Sequence, residues 1–245
     1  MNEHSTLRVS AARLEGAVTL SGAKNSALHL LAASLLTAED VTLTNYPAKL
    51  LDTQVHVDML RVLGKRCTLL ADDIIRISQD APPQSRLEWE GRSIRNTLLI
   101  LGALTARTGT GAVPLPGGCK LGERKYDLHV ELLEALGARV WDDGDYLMAE
   151  APAGGLVGAD IHLKLRSTGA TENAILCGAL AKGVTRVWNP HIRPEILDLV
   201  AILRSMGAQI CVFGQEHIEI TGMDALGGTT HTVIADNMEA ITWLV

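Results

Sequence analysis

Three stretches of this sequence are apolar on nearly every side of a helix: 26–36, 94–104 and 171–181. A helix without a polar face has to be enclosed by the rest of the fold. Each stretch is followed by a short strand-like run (41–45, 112–115, 184–189) and then by an amphipathic helix. The amphipathic helices end alike, as Leu60-Arg61-Val62-Leu63-Gly64, Leu133-Glu134-Ala135-Leu136-Gly137 and Leu203-Arg204-Ser205-Met206-Gly207. Glycine just past the last turn is the usual helix stop. The glycines stand at 64, 137 and 207, so a unit of about seventy residues occurs three times.

Each unit closes with a strand pair: 67–70 with 74–77, 139–141 with 146–149, and 209–213 with 217–220. Asp72-Asp73, Asp142-Asp143-Gly144-Asp145 and Gly214-Gln215-Glu216 supply the turns between them. The pattern predicts an α/β domain of three repeated units over 22–229, with the apolar helices enclosed and the strands and amphipathic helices outside. A further strand is expected over 230–235, and a helix opens at 236.

The repeat also places polar candidates. Lys24-Asn25, Arg95-Asn96 and Thr168-Gly169 precede or open the three enclosed helices. Helix N-termini carry unpaired N–H groups and a partial positive charge. Parallel helices would bring these three ends together as one anion-binding surface.

Composition narrows the classes. Hydrophobic residues make up 47% and aromatic residues only 3%, so the core has to be aliphatic. The net charge of −6 argues against nucleic acid as a partner, which usually needs a basic face. Cys67, Cys119, Cys177 and Cys211 show no metal-ligand spacing and read as reduced cytosolic thiols. No metal, cofactor or membrane partner is expected. Residues 1–5 lack the pattern of a secretion signal, and no apolar run is long enough to span a bilayer.

One stretch interrupts the helix and strand pattern, Pro114-Leu115-Pro116-Gly117-Gly118-Cys119-Lys120-Leu121-Gly122-Glu123-Arg124-Lys125. Its glycines and prolines mark a loop. Lys120, Arg124 and Lys125 favour the thiolate of Cys119, which is the reactive form. From residue type alone, a lone cysteine is more often a small buried hydrophobe. Arg124, Lys125 and Asp127 then lie near the start of the helix that carries Leu128, Leu132 and Leu133.

Pro116-Gly117-Gly118-Cys119 with Gly122, Arg124 and Asp127-Leu128-His129 resembles the catalytic loop of the UDP-N-acetylglucosamine enolpyruvyl transferases. Ser21-Gly22-Ala23-Lys24-Asn25 and Gly169-Ala170-Thr171-Glu172-Asn173 resemble two further motifs of that family, in the same order. The resemblance runs from about Leu7 to the last residue. It implies an inside-out α/β barrel of three repeated units, with 1–21 and 230–245 as crossover segments and the start of a second domain that this chain largely lacks.

The resemblance implies transfer of the enolpyruvyl group of phosphoenolpyruvate to UDP-N-acetylglucosamine, the first committed step towards peptidoglycan. Cys119 matches the general acid. Lys24, Asn25 and Arg124 match phosphoenolpyruvate contacts. Arg95, Arg124, Lys125, Tyr126, Asp127, Leu128, Arg166, Ser167, Thr168 and Gly169 match the stretches along the UDP-sugar. Three departures fall near the acceptor: Lys125-Tyr126 for Pro-Val, Thr168 for Val, and Asn237-Met238 for Arg-Ile. They leave open an acceptor that is another nucleotide. A catalytically silent nucleotide- or anion-binding protein is the competing class. A second polypeptide or self-association is the expected way to complete the site, and weak ligand binding with negligible turnover is expected of the chain alone. No Walker-type phosphate loop is present, and the remaining glutamates and histidines form no separate catalytic constellation by spacing.

Overall fold

The computed structural model describes residues 10, 15–92, 94–115 and 126–244. The first unit contains α1 (Lys24–Ala33), continued by a 3₁₀ turn (Ser34–Leu36), then β1 (Val41–Thr44), α2 (Leu51–Val62), β2 (Lys65–Ala71) and β3 (Ile74–Gln79). The second contains α3 (Thr97–Thr108), β4 (Thr110–Pro114), α4 (Asp127–Ala135), β5 (Arg139–Asp143) and β6 (Tyr146–Glu150). A short β7 (Asp160–His162) leads to the third: α5 (Thr168–Gly178), β8 (Val184–Trp188), α6 (Pro194–Ser205), β9 (Gln209–Phe213) and β10 (His217–Thr221). β11 (Thr229–Thr232) and α7 (Asn237–Leu244) follow.

The three repeated units have the same internal order, as the periodicity requires. In each, the second strand of the hairpin lies between its partner and the strand that follows the enclosed helix, giving β1-β3-β2, β4-β6-β5 and β8-β10-β9. Gly64, Gly137 and Gly207 all take positive φ, near +92°, +90° and +102°, just past α2, α4 and α6. Glycine reaches this left-handed geometry without the clash a Cβ would add.

The units are joined by exchanged strands, which periodicity alone did not show. Residues 85–87, trailing the first unit, run parallel to β4 of the second, with Leu87 N donating to Ala112 O at 2.9 Å. β7, trailing the second, pairs in parallel with β8 of the third. β11, trailing the third, returns to pair in parallel with β1, Val41 opposite Thr229. Each unit therefore completes the sheet of the next, and the last completes the first.

α1, α3 and α5 are buried over almost their whole lengths. Leu30, Leu31, Leu98, Ile100, Leu101, Ile175 and Leu176 are all fully enclosed. Each such side chain contributes about 1.5–3 kcal/mol of burial free energy. α3 and α5 approach closely because Gly102 faces Asn173; a Cβ at Gly102 would also come within 2.9 Å of Cys177 Sγ. The enclosed helices differ from their expected limits by two to four residues. α5 starts earlier because Ser167 caps it, its Oγ accepting from Ala170 N at 3.3 Å. α3 starts later, after a turn in which Thr97 N donates to Ile94 O at 3.3 Å.

Candidate functional site

The buried polar residues of the enclosed helices are concentrated near their N-terminal ends: Ser26 and His29 on α1, Thr97 on α3, and Thr171, Glu172 and Asn173 on α5. Two of them, His29 and Glu172, line a cavity of about 300 Å³ together with Asn25, Arg95, Asn96, His129, Thr168, Gly169, Arg193 and Glu195. The three helix ends thus converge on one space, and each brings a partial positive charge of about half a unit. Asn96 is the N-cap residue of α3, and its Nδ2 has no partner among the described residues.

Several expected site residues are engaged by other groups. Lys24 opens α1, but its Nζ pairs with Asp52 Oδ2 at 3.1 Å, outside the cavity wall. Arg166 Nε donates to Asn189 Oδ1 at 3.1 Å, and Ser167 is occupied as the cap of α5. Thr168 Oγ1 is 2.8 Å from His191 Nδ1. Tyr126 OH donates to the Asp142 carboxylate at 3.2 Å, and burial together with this contact raises its pKa. Asp127 lies in the first turn of α4, where negative charge is favoured, and Leu128 packs against the core. Cys119, Arg124 and Lys125 lie outside the described residues, as does the loop around them.

Tertiary contacts also assemble a cluster that linear spacing did not reveal. His29 Nε2 and Glu172 Oε2 are 3.1 Å apart, and both side chains are almost wholly buried. Burial, aided by His56, holds the His29 pKa down to about 3, against the pull of Asp198. Burial first, and then the Glu195 carboxylate, raises the Glu172 pKa well above the ordinary carboxylate range, opposed by Arg193. Both shifts favour the uncharged forms, and in that state His29 Nε2–H donates to Glu172 Oε2 at 3.1 Å. Arg193 Nε sits 3.5 Å from Glu195 Oε2 and balances that charge. Asn173 Nδ2 donates to Leu98 O at 3.2 Å and lies 3.1 Å from His129 Nδ1, so one amide ties α3, α4 and α5 together. His129 is held neutral, at about 4, by burial and by Arg95, against Asp127. With Nδ1 accepting from Asn173, the His129 proton belongs on Nε2, which faces Gly169. Glu172 and Asn173 fell within a recognised motif, but nothing in their spacing pointed to His29, Arg193 or Glu195.

An anion fits this cavity: three helix ends and two arginines face it, and burial favours the uncharged form of Glu172, one of its two carboxyls. Three enclosed helices present this site within exchanged sheets, a fold that a solved enolpyruvyl transferase shares. The family model described as EPSP synthase (3-phosphoshikimate 1-carboxyvinyltransferase) matches residues 9–245, and the chain belongs to that family. It is 43% identical over 234 residues to the UDP-N-acetylglucosamine 1-carboxyvinyltransferase of Cereibacter sphaeroides (strain ATCC 17029), an alignment covering 95% of this chain and 55% of that protein. The enzyme of the same name from Maricaulis maris is 44% identical over 233 residues, again with 95% and 55% coverage. The chain thus spans little more than half the length of these curated relatives. The crystal structure of the enolpyruvyl transferase NikO from Streptomyces tendae superposes with a TM-score of 0.81 at 26% identity, over 95% of this chain and 55% of that one. An EPSP synthase from Acinetobacter baumannii shares the fold with a TM-score of 0.74 at 21% identity, over 92% of this chain and 51% of that one.

Proposed function

We propose that this chain carries one half of an enolpyruvyl transferase site, which moves the enolpyruvyl group of phosphoenolpyruvate to UDP-N-acetylglucosamine. The observation that carries the reading is the convergence of Asn25, Arg95-Asn96 and Thr168-Gly169 on one cavity. Such an arrangement suits a ligand with phosphate and carboxylate groups, because the donors are fixed before the ligand arrives. Cys119 is the residue we assign to protonation of the enolpyruvyl carbon, with Lys24, Asn25 and Arg124 on phosphoenolpyruvate. Arg95, Lys125, Tyr126, Asp127, Leu128 and 166–169 are assigned to the UDP-sugar. The domain is read as 22–229, with 1–21 and 230–245 as crossover segments.

Two observations favour a second reading of the acceptor. Thr168 turns its hydroxyl to His191, and Tyr126 turns its hydroxyl to Asp142. Both residues depart from the motif at the acceptor side, and a different nucleotide would meet different groups there. The exposed Met238, Ile241 and Trp243 of α7, a helix with no buried residue, fit a face covered by another polypeptide or a second copy. Sedimentation of the purified chain tests that association.

Ligand binding tests the main reading. Calorimetry with phosphoenolpyruvate, UDP-N-acetylglucosamine and uridine monophosphate should show binding of the first two, and Arg95→Ala should weaken it about tenfold or more, the loss of one charge-assisted contact. Binding of uridine monophosphate in preference to the UDP-sugar would favour the second reading. Failure of every ligand to bind would remove both. Phosphate release from phosphoenolpyruvate in the presence of the acceptor reports turnover.

A further inference from the structure

Glu172 lines the cavity where the three helix ends meet, and it is only 2% exposed. Its Oε2 is bonded to His29 Nε2, whereas its Oε1 has no partner among the described residues. A buried carboxyl in an anion site is at first sight misplaced, since a carboxylate would repel the ligand. A carboxylic acid would not, and it can donate a hydrogen bond to an anion that a carboxylate cannot.

We propose that Glu172 binds as the neutral acid and donates Oε1–H to the anion held at this cavity, so that anion binding there is coupled to one proton. This rests on the reading of the cavity as an anion site. The groups around Glu172 favour that role. From α1, His29 supplies a donor to Oε2 and leaves Oε1 for the ligand, with the buried His56 of α2 behind it. From α6 and its entry come Arg193 and Glu195, whose opposite charges stand 3.5 Å apart, and Asp198, which acts on His29. From the entry to α3 comes Arg95, and from α4 the neutral His129. A ligand anion arriving beside Arg95 and the helix ends raises the cost of ionising Glu172, so the bound state keeps the proton that the free state releases at higher pH.

Sulfate is the suitable probe, because it does not titrate between pH 5 and 9. Its affinity for the chain should fall as pH rises, approaching about tenfold per pH unit once the free Glu172 ionises. Calorimetry in two buffers of different ionisation enthalpy should show proton uptake rising towards about one per sulfate over the same range. Glu172→Gln keeps a donor that does not titrate, so its affinity should become independent of pH. A structural role alone would leave the pH profile of Glu172→Gln unchanged. Equal sulfate affinity of the unaltered chain at pH 6 and pH 9 with no proton uptake would overturn the coupling and leave the anion site standing. Absence of sulfate and phosphoenolpyruvate binding at every pH would overturn the anion site itself.

Discussion

Asn45 and Asn189 occupy the same place in the first and third units, each in a left-handed conformation with φ near +50° and +58°. Each side chain donates Nδ2 to a carbonyl just beyond the strand received from a neighbouring unit: Val233 O at 3.1 Å past β11, and Leu163 O at 2.9 Å past β7. The two asparagines therefore combine a turn that few side chains tolerate with a clasp on the exchanged strand.

Replacing Asn189 separates these two contributions. Asn189→Gly keeps the turn and loses both side-chain bonds, to Leu163 O and from Arg166 Nε, for about 1–2 kcal/mol. Asn189→Ala loses the same two bonds and strains the turn, for about 2–4 kcal/mol in all. Urea unfolding of the two variants should rank them in that order, and equal costs would show that the turn carries no strain.

The crossover is fastened at Asp198. Its carboxylate accepts from Ser26 Oγ on α1, from His231 Nε2 on β11 at 2.7 Å, and from Ile234 N at 3.3 Å. Asp198→Ala should cost at least about 1.5–3 kcal/mol, the range for one hydrogen bond to a charged group, since three are lost. Hydrogen exchange at the Ile234 and Ala23 amides should quicken with it, since Ala23 N donates to Ile234 O at 2.8 Å. Unchanged exchange there would show that β11 holds the crossover without Asp198.

Stability should fall on the acid side. Burial depresses the histidine pKa values to about 3 at His29 and His56 and about 4 at His129. The unfolded chain takes up those protons near pH 6.5 and the folded chain does not. Their contribution is thus complete above about pH 6.5 and is lost as pH falls towards 4, by about 1.4 kcal/mol per pH unit for each. Glu172 runs the other way: its raised pKa favours the folded state at low pH, and that part is lost as pH rises above about 4.5. Urea midpoints measured from pH 7.5 to 4.5 should decline, and His56→Leu should make the decline shallower. An equal slope in that variant would show that His56 is not held neutral.

The four thiols should separate on alkylation at neutral pH. Cys177 and Cys67 are buried, and burial pushes their pKa values up to about 12 and about 11. Cys211 is exposed on β9. Cys119, beside Lys120 and Arg124 in sequence, should react fastest, then Cys211, with the other two protected. Mass-spectrometric labelling gives the order, and faster labelling of Cys211 than of Cys119 would count against the assignment of Cys119 as the acid.

The three-unit organisation was legible in the sequence because helix burial and glycine stops are local signals. The apolar runs containing Leu30, Leu101 and Leu176 could only be interior, and Gly64, Gly137 and Gly207 marked the period. The same local signals placed Asn25, Arg95 and Thr168 at helix entrances. What packing decided was which strands pair and which polar groups meet. β1 and β11 are far apart in sequence, and their parallel register follows from closing the ring of units rather than from any pattern within either strand. His29 and Glu172 lie on different enclosed helices, at positions that read simply as polar interruptions of apolar runs. Their common burial favours the uncharged form of both, and that shared environment, set by α1, α5 and α6 together, is a property of the packed fold and not of either segment.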